Sequence, residues 1–266
     1  MITPDRCAFY IPANLRSVKL NLFNRIADQL ARRGGVIVRG DPNALNALAK
    51  IGRAPIVGCS PELTDMIKEW REANKPWVYW DRGYFLRCYA TWLPRGANGG
   101  MYRWVVGRYQ MGEISDAPDD RWKASRIDVQ PWQKNGRHIV IAAPTRTYAR
   151  FHRTESWIAD TIDALARVTD RQLVIRDKES KRPLQADLKD AHCLVTHGSI
   201  AAVESVICGC PVFVDQSSAA ALVGQTDLAK IEKPIYPDRQ KWLNSLAYSH
   251  FSEQEMVNDS LWRMLH

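Results

Sequence analysis

No stretch of the 266-residue chain approaches the ~20 consecutive apolar residues that a membrane-spanning helix requires, so no span is expected. The first residues, Met1 to Tyr10, bring in charged and polar groups early and hold no long apolar run, which speaks against a secretory leader. Cysteine is sparse: six are present, at 7, 59, 88, 193, 208 and 210, with no Cys-x-x-Cys pair and no zinc-ribbon spacing. Cys59, Cys193 and Cys208 sit in apolar segments and read as small buried residues, so reduced thiols in a cytoplasmic protein are expected rather than a disulfide framework. Internal repeats and low-complexity tracts are also missing. Acidic residues are in deficit, 29 against 37 Lys and Arg, for a formal net charge of +8. That surplus favours an anionic partner such as nucleic acid, a nucleotide or an acidic glycan, without choosing among them. What is abundant is hydrophobic residues, at 45%. They suffice for a packed core in one large domain or two small ones.

Short apolar runs alternate with longer amphipathic segments, the pattern of a mostly parallel sheet built from strand-helix units. Strands are predicted at Cys7 to Ile11, Val36 to Val38, Pro55 to Cys59 and Trp77 to Trp80. Val18, Leu22, Ile26 and Leu30 recur at helical spacing, and Gly34-Gly35 stops that helix. Asp41 and Ser60 are the N-caps expected for helices from Pro42 to Lys50 and from Pro61 to Ala73. Residues 82 to 136 read as irregular, rich in glycine and aromatics, with one strand over Tyr102 to Tyr109. A second series starts near Arg137, with strands at His138 to Ala142, Gln172 to Ile175, Cys193 to Thr196 and Pro211 to Val214. Helices are predicted from Thr154 or Ser156 to about Val168, from Leu184 to Lys189 and from Ile200 to Cys208. Helical stretches fill the tail, with Glu255 in capping-box position to Ser252. The division expected is a lobe over 1–136 and a second over 137–266.

The most informative segment runs from Cys193 to Val214. A buried strand ends in Thr196-His197-Gly198-Ser199, a small-residue helix follows, and Gly209 and Pro211 lead into the next strand. Gly198 permits close backbone approach and Ser199 offers a cap and a hydroxyl. The first N–H groups of such a helix and its dipole suit a phosphate at the C-terminal edge of the sheet. Glu204, one turn in, is placed to accept from ribose hydroxyls. The plainer alternative is a strand-turn-helix with a capping serine.

This string resembles the donor-binding turn of glycosyltransferases of the GT-B fold, especially capsule-type, Kdo-transferase-like and phage-encoded members. Ala221-Leu222-Val223-Gly224-Gln225-Thr226-Asp227 is similar to a Gly-Leu-Thr-Asp segment of that group, with Gln225 as a departure. The resemblance covers about residues 137 to 250. It implies two Rossmann-like α/β lobes in a small GT-B fold with an aromatic-rich β insert. It also implies a nucleotide-sugar donor in the C-terminal lobe, an acceptor in the N-terminal lobe, and no cofactor or obligatory metal. The Asp-x-Asp pair of metal-dependent transferases is absent from the chain.

Under that resemblance, Arg176 and Lys178 are candidates to neutralise a diphosphate, and Thr145, Arg146 and Thr147 to add phosphate donors. A solvated charge run and a polar loop are the alternatives. His197 is a candidate for phosphate or sugar contact and for catalysis. Asp81, in Trp80-Asp81-Arg82-Gly83-Tyr84 at the end of a strand, is the candidate base for the acceptor hydroxyl; a turn-forming Asp paired with Arg82 is the alternative. Aromatic groups beside cations suggest an acceptor surface of Arg82, Tyr84, Arg103, Arg108, Lys123 and Arg126, suited to bases or sugars, with core packing as the duller account. The acceptor expected first is a hydroxymethylated base in phage DNA, met in the host cytoplasm. A capsule or surface glycan is second, and a non-catalytic nucleotide-binding protein or a sugar-nucleotide epimerase is the rival class.

Overall fold

The computed structural model describes residues 2–14, 17–87, 100–177, 179–180, 182–258 and 260–265, with side chains except at 17–19 and 87. The first strand-helix series gives β1 (Cys7–Ile11), α1 (Ser17–Arg32), β2 (Val36–Arg39), α2 (Pro42–Lys50), β3 (Ala54–Val57), α3 (Thr64–Glu72), β4 (Val78–Arg87) and β5 (Gly100–Val106). Asp41 caps α2 as its sequence promised, accepting from the N–H groups of Asn43 and Ala44. Ser60 makes no such side-chain bond; a 3₁₀ turn at Pro61–Leu63 precedes α3 instead.

β1 to β4 run parallel in the order β4-β3-β1-β2. β1 is buried on both faces because alternate residues feed two layers. Phe9 packs with Ile26 and Leu30 of α1, while Ala8 and Tyr10 pack with Leu45 of α2 and Ile67 and Trp70 of α3. β5 returns antiparallel to β4, pairing Arg103 with Asp81.

After α4 (Asp120–Ala124) comes the second series: β6 (His138–Ala142), α5 (Arg146–His152), α6 (Trp157–Leu165), β7 (Leu173–Arg176), α7 (Leu184–Leu188), β8 (Ala191–Thr196), α8 (Ala201–Ile207) and β9 (Val212–Val214). Its four strands are parallel in the order β7-β6-β8-β9, and β8 is wholly buried. Gly209 takes φ +79°, and a Cβ there would strike the carbonyl of Pro131, so only glycine fits this exit from α8. The protein is thus a two-lobed α/β molecule with Rossmann-like lobes, one sheet mixed with a parallel core and the other all parallel.

The tail departs from expectation. α9 (Gln240–Tyr248) packs on the second lobe through Trp242, Leu243 and Leu246. The chain then crosses back: β10 (His250–Ser252) pairs antiparallel with β5 as an edge of the first sheet. α10 (Glu253–Met256) and α11 (Ser260–Met264) follow, and Met256, Leu261 and Leu265 join the core under α1. The Ser252–Glu255 capping box forms as read. Arg121 fastens this return, donating to the carbonyls of Ala247 and His250 at 2.9 Å each and to Glu255 at 2.6 Å. No helix of the described residues is long and apolar enough to cross a membrane.

Candidate active site between the lobes

A cleft of ≈ 680 Å³ opens between the two lobes. The second lobe supplies the C-terminal ends of β8 and β9, with His197 just past β8 and Asp215, Gln216 and Ser217 just past β9. The last residues of α5, Phe151 and His152, and its left-handed C-cap Arg153 (φ 54°) form a further wall. The first lobe supplies α3 and residues 107–112. Thr64, Lys68 and Arg71 face the cleft from one stripe of α3, at i, i+4 and i+7, while Leu63, Ile67 and Trp70 anchor the opposite side in the core. Ligands in open parallel α/β sheets bind at this carboxyl edge.

A smaller cavity of ≈ 340 Å³ adjoins it and shares Arg153, His197 and Asp215. Its apolar lining comes from Trp157, Phe213 and Leu228, and Thr154, Ser156, Asp160 and Thr226 add polar groups. Beyond the main cleft on the other side lies a third cavity of ≈ 600 Å³, which shares Arg108 and Gly112 with it.

The lobes are fastened around the cleft. Arg153 forms an ion pair with Asp65, and the Thr64 hydroxyl donates to the Phe151 carbonyl at 3.1 Å. Gln110, only 3% exposed, reaches from the first lobe into the second. Its amide donates to the Gly198 carbonyl at 2.7 Å and accepts from the Ala219 N–H at 3.0 Å.

The cleft holds two imidazoles in unusual surroundings. His197 Nδ1 lies 3.1 Å from the Tyr148 hydroxyl. The His152 ring lies over Tyr148, with centroids 4.0 Å apart. Burial lowers the pKa of His152 to about 4, aided by the nearby charges of His197 and Arg103. Burial also lowers that of His197, and the Asp215 carboxylate offsets part of the effect. Burial pushes the Asp215 carboxyl up, but bonds from the Ser217 side chain and N–H, with the His197 charge and the Gln216 N–H, outweigh it and leave the group lowered. Neutral imidazoles and an ionised carboxylate therefore face the cleft at neutral pH.

The structure brings few of the sequence candidates into this cleft. His197 and Arg108 line it. Gly198 and Ser199 sit beside it in the turn, but what approaches Gly198 is protein: a Cβ there would fall on the Tyr148 hydroxyl. Ser199 accepts from the Ala201 N–H at 3.2 Å, the capping alternative. Glu204 is 3% exposed, inside the core-facing run of α8, and lines neither the cleft nor the adjoining cavity, so it is not placed for ribose. Thr145 is the N-cap of α5, accepting from the Tyr148 N–H, and Arg146 and Thr147 are exposed on its first turn, away from the cleft lining. Arg176 is taken up by an ion pair with the buried Asp187, which Arg182 also joins at 2.9 Å. Lys178 lies outside the described residues.

The first-lobe candidates are corrected further. β4 continues to Arg87, so Asp81 and Tyr84 lie within a strand and not at its end. Asp81 accepts from Arg103 at 3.1 Å, from the Tyr79 hydroxyl at 3.2 Å and from the Arg82 N–H at 2.8 Å, and it is not on the cleft wall. Arg103 is 5% exposed, held by Asp81 and by the carbonyls of Arg82 and Tyr109. Tyr84 is fully buried, its oxygen accepting from the Met111 N–H at 2.7 Å. Arg82 lies over the Tyr102 ring and donates to its hydroxyl. Lys123 pairs with Asp119 at 2.8 Å on exposed α4, and Arg126 is exposed just beyond it. The six do not converge on one surface.

Sequence reasoning missed Tyr148, His152, Arg153 and Asp215. Thr145 followed by an aromatic-rich turn was the available signal for α5, and Asp215 could have been found as the first polar residue after a parallel strand.

The fold and cleft thus define a two-lobed α/β protein with a cationic interlobe site. No protein-family model matches the chain, and no curated protein matches it. Among solved structures it is similar to two β-Kdo transferases of Thermosulfurimonas dismutans KpsC, each 10% identical with a TM-score of 0.49. The 2,4 transferase match covers 92% of this chain and 92% of that one, and the 2,7 match covers 97% and 98%. A carbohydrate transporter from Acidothermus cellulolyticus 11B is 10% identical, with a TM-score of 0.24, over 98% of this chain and 99% of that one.

Proposed function

We propose that the protein is a glycosyltransferase of small GT-B type that moves a sugar from a nucleotide-sugar donor to a hydroxyl acceptor in the interlobe cleft, without a metal. The observation that carries this reading is the joined pair of cavities at the carboxyl edge of the second sheet, one apolar-lined and one cationic, meeting at Arg153, His197 and Asp215. A flat base fits against Trp157 in the smaller cavity. Its phosphate then falls at Arg153, and the sugar enters the main cleft.

In the reaction the acceptor oxygen bonds to the anomeric carbon as the bond to the nucleotide oxygen breaks. The acceptor proton goes to a base, and the negative charge goes to the leaving phosphate. His197 replaces Asp81 as the candidate base, because Asp81 is committed to Arg103 and Tyr79. If Nδ1–H is donated to the Tyr148 oxygen, Nε2 carries the lone pair that takes the proton. Asp215 then steadies the imidazolium, and Arg153 takes the charge of the leaving phosphate that a divalent ion takes elsewhere.

For the acceptor, hydroxymethylated DNA keeps only Arg108 of the five cations first offered to it on the cleft wall. A glycan hydroxyl fits the cleft equally well in chemistry. Nucleotide sugars are to be incubated with a hydroxymethylated oligonucleotide or with glycan acceptors, in EDTA, and products weighed by mass spectrometry. A sugar-sized gain in EDTA supports transfer without metal and names the acceptor class. Turnover that needs added Mn²⁺ contradicts the metal-free mechanism, and donor hydrolysis or epimerisation alone contradicts transfer.

A further inference from the structure

The first-lobe wall of the cleft is built for negative charge, and the second lobe already accounts for the donor. Lys68 and Arg71 project from one stripe of α3, and Arg108 lies across Gly112 on the facing loop. The Arg108 guanidinium lies against Gly112 at the cleft edge, where a Cβ would overlap it. The acids near this wall leave the charge uncancelled. Asp65 is paired with Arg153 of the other lobe. Glu72 meets Lys68 only at 3.9 Å, with both side chains about two-thirds exposed, a contact of little worth. Arg71 lies near the half-buried Tyr109 hydroxyl, a neutral group that leaves its charge uncancelled. Three cations thus face a space that the proposed nucleotide does not fill.

Charge falls away beyond Arg108. The third cavity, reached past Arg108 and Gly112, is lined by Met111, Val106 and Tyr248; it carries Glu113 and Asp116 against Arg263, and Asp116 is paired with Lys241 at 2.9 Å. An apolar wall and locally balanced charges offer no continuous cationic track to a chain charged along its whole length, such as a nucleic acid. They admit a molecule whose anionic group is confined to one end.

We infer that the acceptor bears a localised anionic group, a phosphate or a carboxylate, held by Lys68, Arg71 and Arg108 beside the reacting hydroxyl. This rests on the donor assignment above and deepens it by naming the acceptor's charge. Glucose, glucuronate and glucose 6-phosphate are to be titrated calorimetrically into the protein, alone and saturated with a nucleoside 5′-diphosphate, at low salt. The anionic sugars should bind about tenfold or more tighter than glucose, and both should bind together with the nucleotide. Tighter glucuronate assigns a carboxylate; tighter glucose 6-phosphate assigns a phosphate. The Lys68→Met/Arg108→Met variant should lose the preference while nucleotide affinity stays within about twofold, since neither residue borders the smaller cavity. Equal binding of neutral and anionic sugars, no binding by any of them, survival of the preference in the variant, or displacement of the anionic sugar by the nucleotide each overturns the inference. An anion preference in a protein that binds no nucleotide keeps this wall and removes the donor reading instead.

Discussion

At the scale of single residues, the contrast between Asp81 and His197 decides the chemistry. The sequence sets both polar groups at strand ends, and the chain alone made Asp81 the better base. Packing reverses this. Arg103, buried at 5% exposure, needs the Asp81 carboxylate as its counter-charge, and burial of the guanidinium is tolerable only while that partner stays. Asp81→Asn should therefore lower stability by roughly 1–3 kcal/mol, read as a lower urea midpoint, because it removes the counter-charge of a buried guanidinium. A variant that melts like the wild type but loses turnover would return Asp81 to the role of base.

At the scale of elements, the strands of both sheets except β10, and the main amphipathic helices, were legible because their apolar patterns are clear and caps such as Asp41 and the Ser252–Glu255 box are plain. α5 was not legible. Its seven residues carry no clear stripe, and it holds through the Thr145 cap and through Phe151 packing on the first lobe. The cleft residues Tyr148 and His152 were lost with it. The return of the tail was invisible for another reason: β10 is three residues long, and its pairing with β5 spans about half the chain. That return hangs on Arg121. Arg121→Ala removes bonds to two carbonyls and the Glu255 pair, and should cost roughly 1–3 kcal/mol. Limited proteolysis should then cut first after Tyr248. A variant tail as resistant as the wild type's would show that the apolar contacts of Phe251, Met256 and Leu261 hold it alone.

At the scale of the whole molecule, two buried imidazoles set the response to acid. Burial lowers His152 to about 4, and burial with the Arg121 charge lowers His250 to about 3, against an ordinary value of 6.5. The folded state thus binds fewer protons than the unfolded state. The stability these groups contribute is fully present above about pH 6.5 and is lost as pH falls through 4 toward 3. Urea midpoints should fall steadily over that window, and His250→Phe should flatten part of the slope. An unchanged slope would place the acid sensitivity elsewhere.

The two-lobed architecture makes sense of the same cleft as a place where donor and acceptor meet, and one measurement bears on that most directly. Wild type and His197→Ala are to be titrated with a panel of nucleoside phosphates and nucleotide sugars, and donor turnover followed with acceptor across pH. At least one nucleotide sugar should bind at one site per chain. Turnover should fall on an acid limb below pH 6.5, since His197 must be neutral and burial lowers its pKa. His197→Ala should lose about a hundredfold in turnover or more while nucleotide affinity changes only a few-fold. A protein that binds no nucleotide or nucleotide sugar at millimolar concentration, or a His197→Ala variant that turns over donor like the wild type, would contradict the account.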